Sequence, residues 1–278
     1  MKPYPKITIV TPSYNQAIFL ERTILSVINQ GYPNLEYIII DGGSTDGSVD
    51  IIKKYESHIS KWVSEPDSGQ SNAINKGFKM ATGDLFNWLN SDDVLYPATL
   101  KIVAEYYLKH PNHHVFYGDR VIIDKADRVL KVNEGPSFKR WESMMYLKIP
   151  QETTFFSKFI WEKAKGLNED LHYTMDVDLW RRFLKYTDFV HIPFYLGAYR
   201  EHDLSKSVEV FGPNKSSDRA AWEINRYKEL YATKWHRNAK VQKMAFLLNQ
   251  GRLAFEKSSR KGRVEAEFIY SLIENGQH

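Results

Sequence analysis

Four short polar clusters hold the side chains with most chemical reach: Thr11-Pro12-Ser13-Tyr14, Asp41-Gly42-Gly43-Ser44, Glu65-Pro66-Asp67-Ser68-Gly69 and Asn90-Ser91-Asp92-Asp93. A carboxylate backed by glycines, such as Asp41, can accept hydrogen bonds from a base N–H or a ribose hydroxyl. The same residues also read as a plain Gly/Asp/Ser turn before a helix, with Asp46 and Ser48 as caps. Asn90-Ser91-Asp92-Asp93 offers the oxygen ligands that magnesium or manganese prefers, and a diphosphate brings its own oxygens, so few protein carboxylates are needed. It equally suits the cap of a helix entered at Pro97. Asp176 and Asp178 open a later helix, where negative charge suits the helix dipole. Alternatively one of them is a general base poised at a substrate hydroxyl. His202, within Tyr199-Arg200-Glu201-His202, is either a metal ligand or a lone surface histidine.

The elements around these clusters predict that they meet. Lys6 to Thr11 is a β-branched run that reads as a strand, and Asn15 can cap a helix bearing Leu20, Ile24, Val27 and Ile28 on one face. Leu35 to Ile40 is almost wholly apolar, the mark of a strand covered on both faces. A helix over Val49–Tyr55, a strand at Trp62–Ser64, a helix over Asn72–Met80 and a strand over Asp84–Leu89 follow. That alternation predicts an α/β, doubly wound, mostly parallel sheet. In such a sheet ligands sit beyond the carboxyl ends of the strands, and each cluster follows a separate strand. From about 113 to 200 the pattern mixes: strands at Val115–Tyr117, Arg120–Ile123 and Phe155–Phe156, a helix over Ser157–Lys165, and another over Asp176–Tyr186 with Leu179, Phe183 and Tyr186 inward.

The 278 residues are 42% hydrophobic and 26% charged, which excludes wholesale disorder. The absence of cysteine excludes disulfides, thiol catalysis and thiolate metal sites. The opening segment has too short an apolar run for a signal peptide, and no stretch approaches the roughly 18 apolar residues of a membrane span. A cytoplasmic protein is expected. From Phe211 onward there are 13 Lys/Arg against 7 Asp/Glu, while the body before it is near neutral. That body argues against a nucleic-acid partner. In the tail, Trp222, Tyr227, Tyr231 and Trp235 recur at helical spacing among Arg219, Arg226, Lys228, Lys234 and Arg237. Such a helix suits a membrane interface with anionic lipid, or an appendage whose aromatics pack on the domain.

Taken in order, Thr11-Pro12-Ser13-Tyr14-Asn15, Asp41-Gly42-Gly43-Ser44-Thr45-Asp46-Gly47-Ser48, Asp67-Ser68-Gly69, Asn75-Lys76-Gly77, Gly83-Asp84 and Asn90-Ser91-Asp92-Asp93 resemble glycosyltransferase family 2. The likeness continues through Leu171 to Trp180 and Tyr199 to His202, covering about residues 5–207. It implies a GT-A-like fold over 1–207, with a nucleotide-binding half to about 112 and an acceptor half from 113; it stops there, and the basic, aromatic-rich helical tail over 208–278 is read from composition and spacing alone. It implies an inverting enzyme that transfers a sugar from a nucleotide-diphosphate donor, preferably a UDP-sugar, with Mn2+ or Mg2+ as cofactor. On that resemblance Thr11, Pro12, Tyr14, Asp41, Asp67, Asn75, Asn90 and Ser91 bind the nucleotide, Asp92 and His202 the metal, and Asp176 is the base. The acceptor is a glycan, lipid-linked in many members that build bacterial surface polysaccharides; if the tail meets the membrane rather than packing on the domain, the enzyme sits at the membrane's inner face. Two positions depart from the family pattern: Asn90 where many members carry Asp, and Met175 where many carry Glu. A non-catalytic nucleotide-sugar-binding protein on the same fold is the alternative. A nucleotidyltransferase would carry a glycine- and basic-rich phosphate loop where this chain has Thr11-Pro12-Ser13-Tyr14. A glycosidase would need two carboxylates flanking the scissile bond.

Overall fold

Alternate residues of the first two strands point into two different cores, which decides the layering. A computed structural model describes residues 3–133, 149–203, 205–206 and 218–231. Strand β1 (Ile7–Ser13) leads through helix α1 (Ala17–Ile28) to β2 (Leu35–Asp41), then α2 (Ser48–Lys54), β3 (Lys61–Ser64), α3 (Gln70–Met80) and β4 (Leu85–Trp88). These four strands are parallel and lie in the order β3-β2-β1-β4. Ile7, Ile9, Tyr37 and Ile39 pack under α1 and α2, whereas Val10, Ile38 and Ile40 pack under α3. Gly77 of α3 permits that second contact: a Cβ there would lie 2.4 Å from Val10 Cγ1.

The second half makes the sheet mixed. After β5 (Val94–Leu95) and α4 (Thr99–Lys109) come β6 (Val115–Ile123), β7 (Val129–Asn133), β8 (Thr154–Ser157), α5 (Lys158–Ala164), α6 (Met175–Phe183), β9 (Phe189–Arg200) and α7 (Asp218–Tyr231). The sheet runs β3-β2-β1-β4-β8-β6-β9-β5, with β7 hanging on β6. Strand β8 is antiparallel to both neighbours, while β6 and β9 are parallel. Helix α6 is pinned by Leu179, Trp180 and Phe183, with Trp180 stacked on Trp88 of β4 at 5.5 Å between ring centroids.

The doubly wound sheet expected from the sequence is present, with local differences. The two short strands expected at 115–117 and 120–123 are one nine-residue strand. Strand β9 is an addition to the elements expected from the sequence, and it contains Pro193 and Gly197, which ordinarily interrupt a strand. Next to the Gly118–Ile192 pair, Asp119 pairs with Tyr195, so Pro193 and Phe194 are accommodated in a bulge. Asn90–Asp93 caps no helix: β5 intervenes, and α4 begins at Thr99. Helix α6 ends at Phe183, so Tyr186 is exposed rather than inward. Among the described residues no helix is long and apolar enough to cross a membrane.

At the amino edge of the sheet, Glu36 of β2 ties three strands together. Thr8 Oγ1 of β1 donates to it at 2.6 Å, and Thr82, just before β4, donates both its N–H at 2.7 Å and its hydroxyl at 2.8 Å. Burial pushes the Glu36 carboxyl up, but these donors and the Lys6 ammonium outweigh it and hold the group below the ordinary glutamate range. A pKa depressed on folding contributes stability above the unfolded value of about 4.3 and loses it as pH falls through the folded value. Urea unfolding between neutral and acid pH should therefore give Glu36→Gln a lower stability at neutrality and a flatter acid limb. Parallel pH profiles for the two proteins would refute this.

Candidate functional site

Three loops close on one another at the carboxyl ends of β1, β2 and β3. A Cβ on Gly42 would lie 2.8 Å from Asp67 Oδ2 and 3.3 Å from Tyr14 Cδ2, so only glycine lets the three approach this closely. Gly42 donates its N–H to the Ser13 carbonyl at 2.8 Å, and Glu65 donates its N–H to the Asp41 carbonyl at 3.0 Å. Tyr14 is 63% exposed, presenting a ring at the rim of the crevice. Asp67 accepts the Gly69 N–H at 2.8 Å just ahead of α3.

Asp41 lies beneath this rim with 0% exposure. Its carboxylate takes the N–H groups of Gly43 (3.1 Å) and Ser44 (2.9 Å) and the hydroxyls of Ser44 (2.5 Å) and Ser64 (2.7 Å). The group expected to face a base thus organises its own turn and clasps β3. Thr11 and Pro12 are buried in β1, with the Thr11 hydroxyl 3.1 Å from the Tyr37 hydroxyl. The buried Ser13 hydroxyl at the strand end has no hydrogen-bond partner.

The loop after Asp41 also caps α1 in place of Asn15. Asn15 takes a left-handed backbone, φ 50°, and its side-chain oxygen accepts the Thr45 N–H at 2.9 Å. Asp46 accepts the Ala17 N–H at the start of α1 (2.8 Å) and the Ser48 N–H at the start of α2 (3.1 Å). Burial pushes its carboxyl up, but these bonds and the Ser48 hydroxyl hold it below the usual aspartate range.

A second group forms beyond β4. Asp93 turns inward: its carboxylate accepts the Arg200 N–H at 2.9 Å and the Asn90 side-chain N–H at 3.1 Å. Burial, then the charges of Asp92 and Glu152, push its carboxyl well above the usual range. Asp92 faces His202, with Oδ2 and Nε2 3.0 Å apart, and Ser91 is buried beside it. Phe19 of α1 packs on the His202 ring at 4.7 Å and on the Arg200 guanidinium at 5.0 Å. Arg200, itself buried, donates Nε–H to the Asp92 carbonyl at 2.8 Å and pairs with Asp127 at 2.5 Å. Asp127 sits at the β6–β7 hairpin tip with φ 64°. Nothing local marks Arg200, because Asp127, Asp92 and Phe19 are all distant from it in sequence.

Asp92 and His202 are one carboxylate and one imidazole, a donor pair that suits a divalent cation completing its shell with diphosphate oxygens. The His202 nitrogen that meets Asp92 either carries a proton or ligates, and cannot do both. Among the described residues no three acidic or histidine side chains could hold a metal ion unaided.

A third group includes Glu152 and Arg120, whose charges reach Asp176. Asn90 is bonded to Gln70 (2.6 Å) and Gln151 (3.1 Å), and Glu152, next in sequence, is 1% exposed. Glu152 pairs with Arg120 at 3.5 Å, and Arg120 lies over the Tyr199 ring at 5.4 Å. One Glu152 oxygen and the Arg120 Nε–H are buried without partners. Burial pushes the Asp176 carboxyl up against the pull of the Val177 N–H and of Arg120, and Glu152 adds to the rise. Lys206 reaches the same rim through Gln70 at 2.8 Å. No spacing marks Arg120, Gln151 or Glu152 in the sequence. Asn75 lies apart: its carboxamide bonds the Leu167 N–H and carbonyl (2.9 and 3.0 Å) and Glu169 (2.8 Å), joining the two halves of the chain.

The polar clusters that follow β1, β2, β3 and β4 gather at the carboxyl edge of a doubly wound sheet, the edge where ligands of such α/β folds sit. Residues 8–172 match Glycosyl transferase family 2, and the chain belongs to that family. An uncharacterised glycosyltransferase of Rickettsia typhi is 28% identical over 207 residues, covering 72% of this chain and 65% of that protein. Chondroitin synthase of Escherichia coli is 26% identical over 69% of this chain, which spans 28% of that enzyme's length. In fold, the chain is similar to S. aureus TarS 1–349 in complex with UDP, with a TM-score of 0.64 and 16% identity over 94% of this chain and 76% of that one. The mannosyltransferase PcManGT of Pyrobaculum calidifontis, in complex with GDP-Man and Mn2+, gives a TM-score of 0.61 at 15% identity, covering 99% of this chain and 80% of that one.

Because Asp46 holds the first peptide N–H of two helices, Asp46→Ala should lower the stability by about 1–2 kcal/mol. Urea denaturation should show an earlier midpoint with an unchanged slope. An unmoved midpoint would mean the caps are redundant.

Proposed function

We propose that the protein is an inverting glycosyltransferase that moves a sugar from a nucleotide-diphosphate donor, UDP-sugars foremost, to a hydroxyl of a glycan acceptor. The observation that carries this reading is the gathering of three groups at one sheet edge. They are the Tyr14–Gly42–Asp67 rim, the Asp92–His202 pair, and a carboxyl at Asp176 whose burial raises its proton affinity. The nucleotide packs against Tyr14 and Asp67, on loops held from beneath by Asp41, Thr11 and Pro12, with Asn90 and Ser91 bordering the diphosphate. Asn75 supports the site from its joint with the 166–169 loop.

Asp176 takes the proton of the acceptor hydroxyl as its oxygen attacks the anomeric carbon. The bond from that carbon to the diphosphate oxygen breaks as the new one forms, so the configuration inverts in one displacement and one base suffices. Asp92 and His202 would hold a divalent cation, Mn2+ or Mg2+, which when bound neutralises the charge growing on the leaving diphosphate. Arg120, whose charge reaches Asp176, and Lys206, bonded to Gln70, add positive charge. The donors seen in the TarS and PcManGT complexes are uridine and guanosine nucleotides, which supports a nucleotide-sugar donor.

The acceptor we propose is a lipid-linked glycan in bacterial surface polysaccharide synthesis, reached at the inner face of the membrane. On α7, Trp222 is 50% exposed with Arg226 over its ring at 5.1 Å, a pairing suited to an anionic interface. The other tail aromatics, Tyr227, Tyr231 and Trp235, fall outside the residues whose side chains are described. Flotation with anionic vesicles should retain the protein; its absence from the vesicle fraction would remove this partner.

Two measurements test the core of the proposal. In a thermal-shift panel of UDP, GDP, dTDP and CDP with manganese, magnesium or chelator, one nucleotide at a hundredfold its Kd should stabilise by about 2.7 kcal/mol. Asp92→Asn should abolish the metal-dependent part. Asp176→Asn should keep the nucleotide shift and lose at least about a hundredfold in kcat. Since the base works ionised and burial raises its pKa, kcat should fall on the acid side at a pH above the ordinary aspartate range. Undiminished turnover in Asp176→Asn would end the base assignment.

A further inference from the structure

Helix α7 lies beyond the family-matched segment, yet it reaches back to the residues just ahead of Asp176. Glu223, with 0% exposure, accepts the N–H of His172 at 2.8 Å on one oxygen. On the other it accepts those of Tyr173 at 2.8 Å and Thr174 at 3.1 Å, with the Thr174 hydroxyl at 3.4 Å. Three consecutive peptide N–H groups aimed at one point form a concave anion nest. Thr174 immediately precedes α6 and makes no side-chain cap of its own to that helix. Its hydroxyl and N–H are turned to Glu223 instead.

We infer that Glu223 is a positioning residue for the proposed reaction: its carboxylate fixes the 172–174 segment from which α6, and with it Asp176, is launched. This rests on Asp176 being the base. Arg219, one turn earlier on α7, pairs with Glu223 at 3.3 Å and donates to the Asp170 carbonyl at 3.2 Å, so α7 grips both ends of the segment. Ala220 is buried between them. From the other side α3 holds the same loop, Ser71 Oγ donating to the Leu171 carbonyl at 3.2 Å and Asn72 to Glu169 at 2.9 Å. Lys206 donates to the His172 carbonyl at 3.3 Å. The carbonyls of the loop are thus taken by α3, Arg219 and Lys206, and its N–H groups by Glu223. Burial pushes the Glu223 carboxyl up, but the three peptide N–H groups and Arg219 outweigh it and keep it ionised at neutrality.

A glutamine at this position keeps the shape but replaces one acceptor oxygen by an NH2 that faces N–H donors. In the full-length protein, Glu223→Gln should lower kcat by about a hundredfold, the scale of a misplaced catalytic group, and leave donor KM and the nucleotide thermal shift unchanged. Amide hydrogen exchange at 172–174 should quicken, and Glu223→Asp should recover part of the lost kcat. Wild-type kcat in Glu223→Gln, or a loss shared by donor binding and overall folding, would overturn the inference and leave α7 a packing element. Asp176→Asn separates the two ideas. Full activity there removes the base itself. Full activity in Glu223→Gln alone, with Asp176 still essential, removes only the clamp.

Discussion

Several carboxylates of this protein find their donors on segments other than their own, whether buried, as Asp93 and Glu223 are, or exposed, as Asp46 is. Asp46 holds the start of α1 while sitting ahead of α2. Asp93 seizes the peptide of Arg200 at the end of β9. Glu223 seizes three peptides ahead of α6. Each of these acids fastens a segment that hydrophobic packing cannot reach, because the segment lies past the end of the sheet. Two apolar cores fix where the strands run, and the acids then fix where the loops point. The crevice is set by that second layer of constraint.

The same logic separates two kinds of aspartate. Asp41 is filled by N–H and O–H donors of its own turn and of Ser64, and Asp93 accepts N–H groups from Arg200 and Asn90. Asp92 meets His202 at 3.0 Å, and Asp176 is buried within reach of the charges of Arg120 and Glu152. Sequence proximity hides this distinction, since Asp92 and Asp93 are neighbours with opposite orientations.

How much was legible follows from range. The β-α alternation through β4 rests on local periodicity, and Leu35–Ile40 declares itself buried on both faces by composition alone. The polar clusters are legible for the same reason, as each ends a strand. Beyond that, pairing over long separations governs. Strand β9 contains Pro193 and Gly197, which argue against a strand until the bulge beside β6 is seen. Asn15 looked like a cap for α1, but a loop about thirty residues later supplies the carboxylate and leaves Asn15 to bind Thr45. Glu223 carries no sequence signal, because the peptides it accepts lie some fifty residues earlier. Arg120 and Glu152 carry no pattern at all.

The Glu36 network at the amino edge stands at the far end of the same strands that end in the crevice. Thr8, Glu36 and Thr82 secure the strands at the end away from the polar clusters. Divergence can therefore proceed unevenly along a single strand. One end answers to the integrity of the sheet and resists change, while the other is released to explore new donors and acceptors without unravelling what supports it. A lineage built on this plan would accumulate new specificities by exchanging loop residues, with drift at the opposite edge held in check by acid lability rather than by lost catalysis.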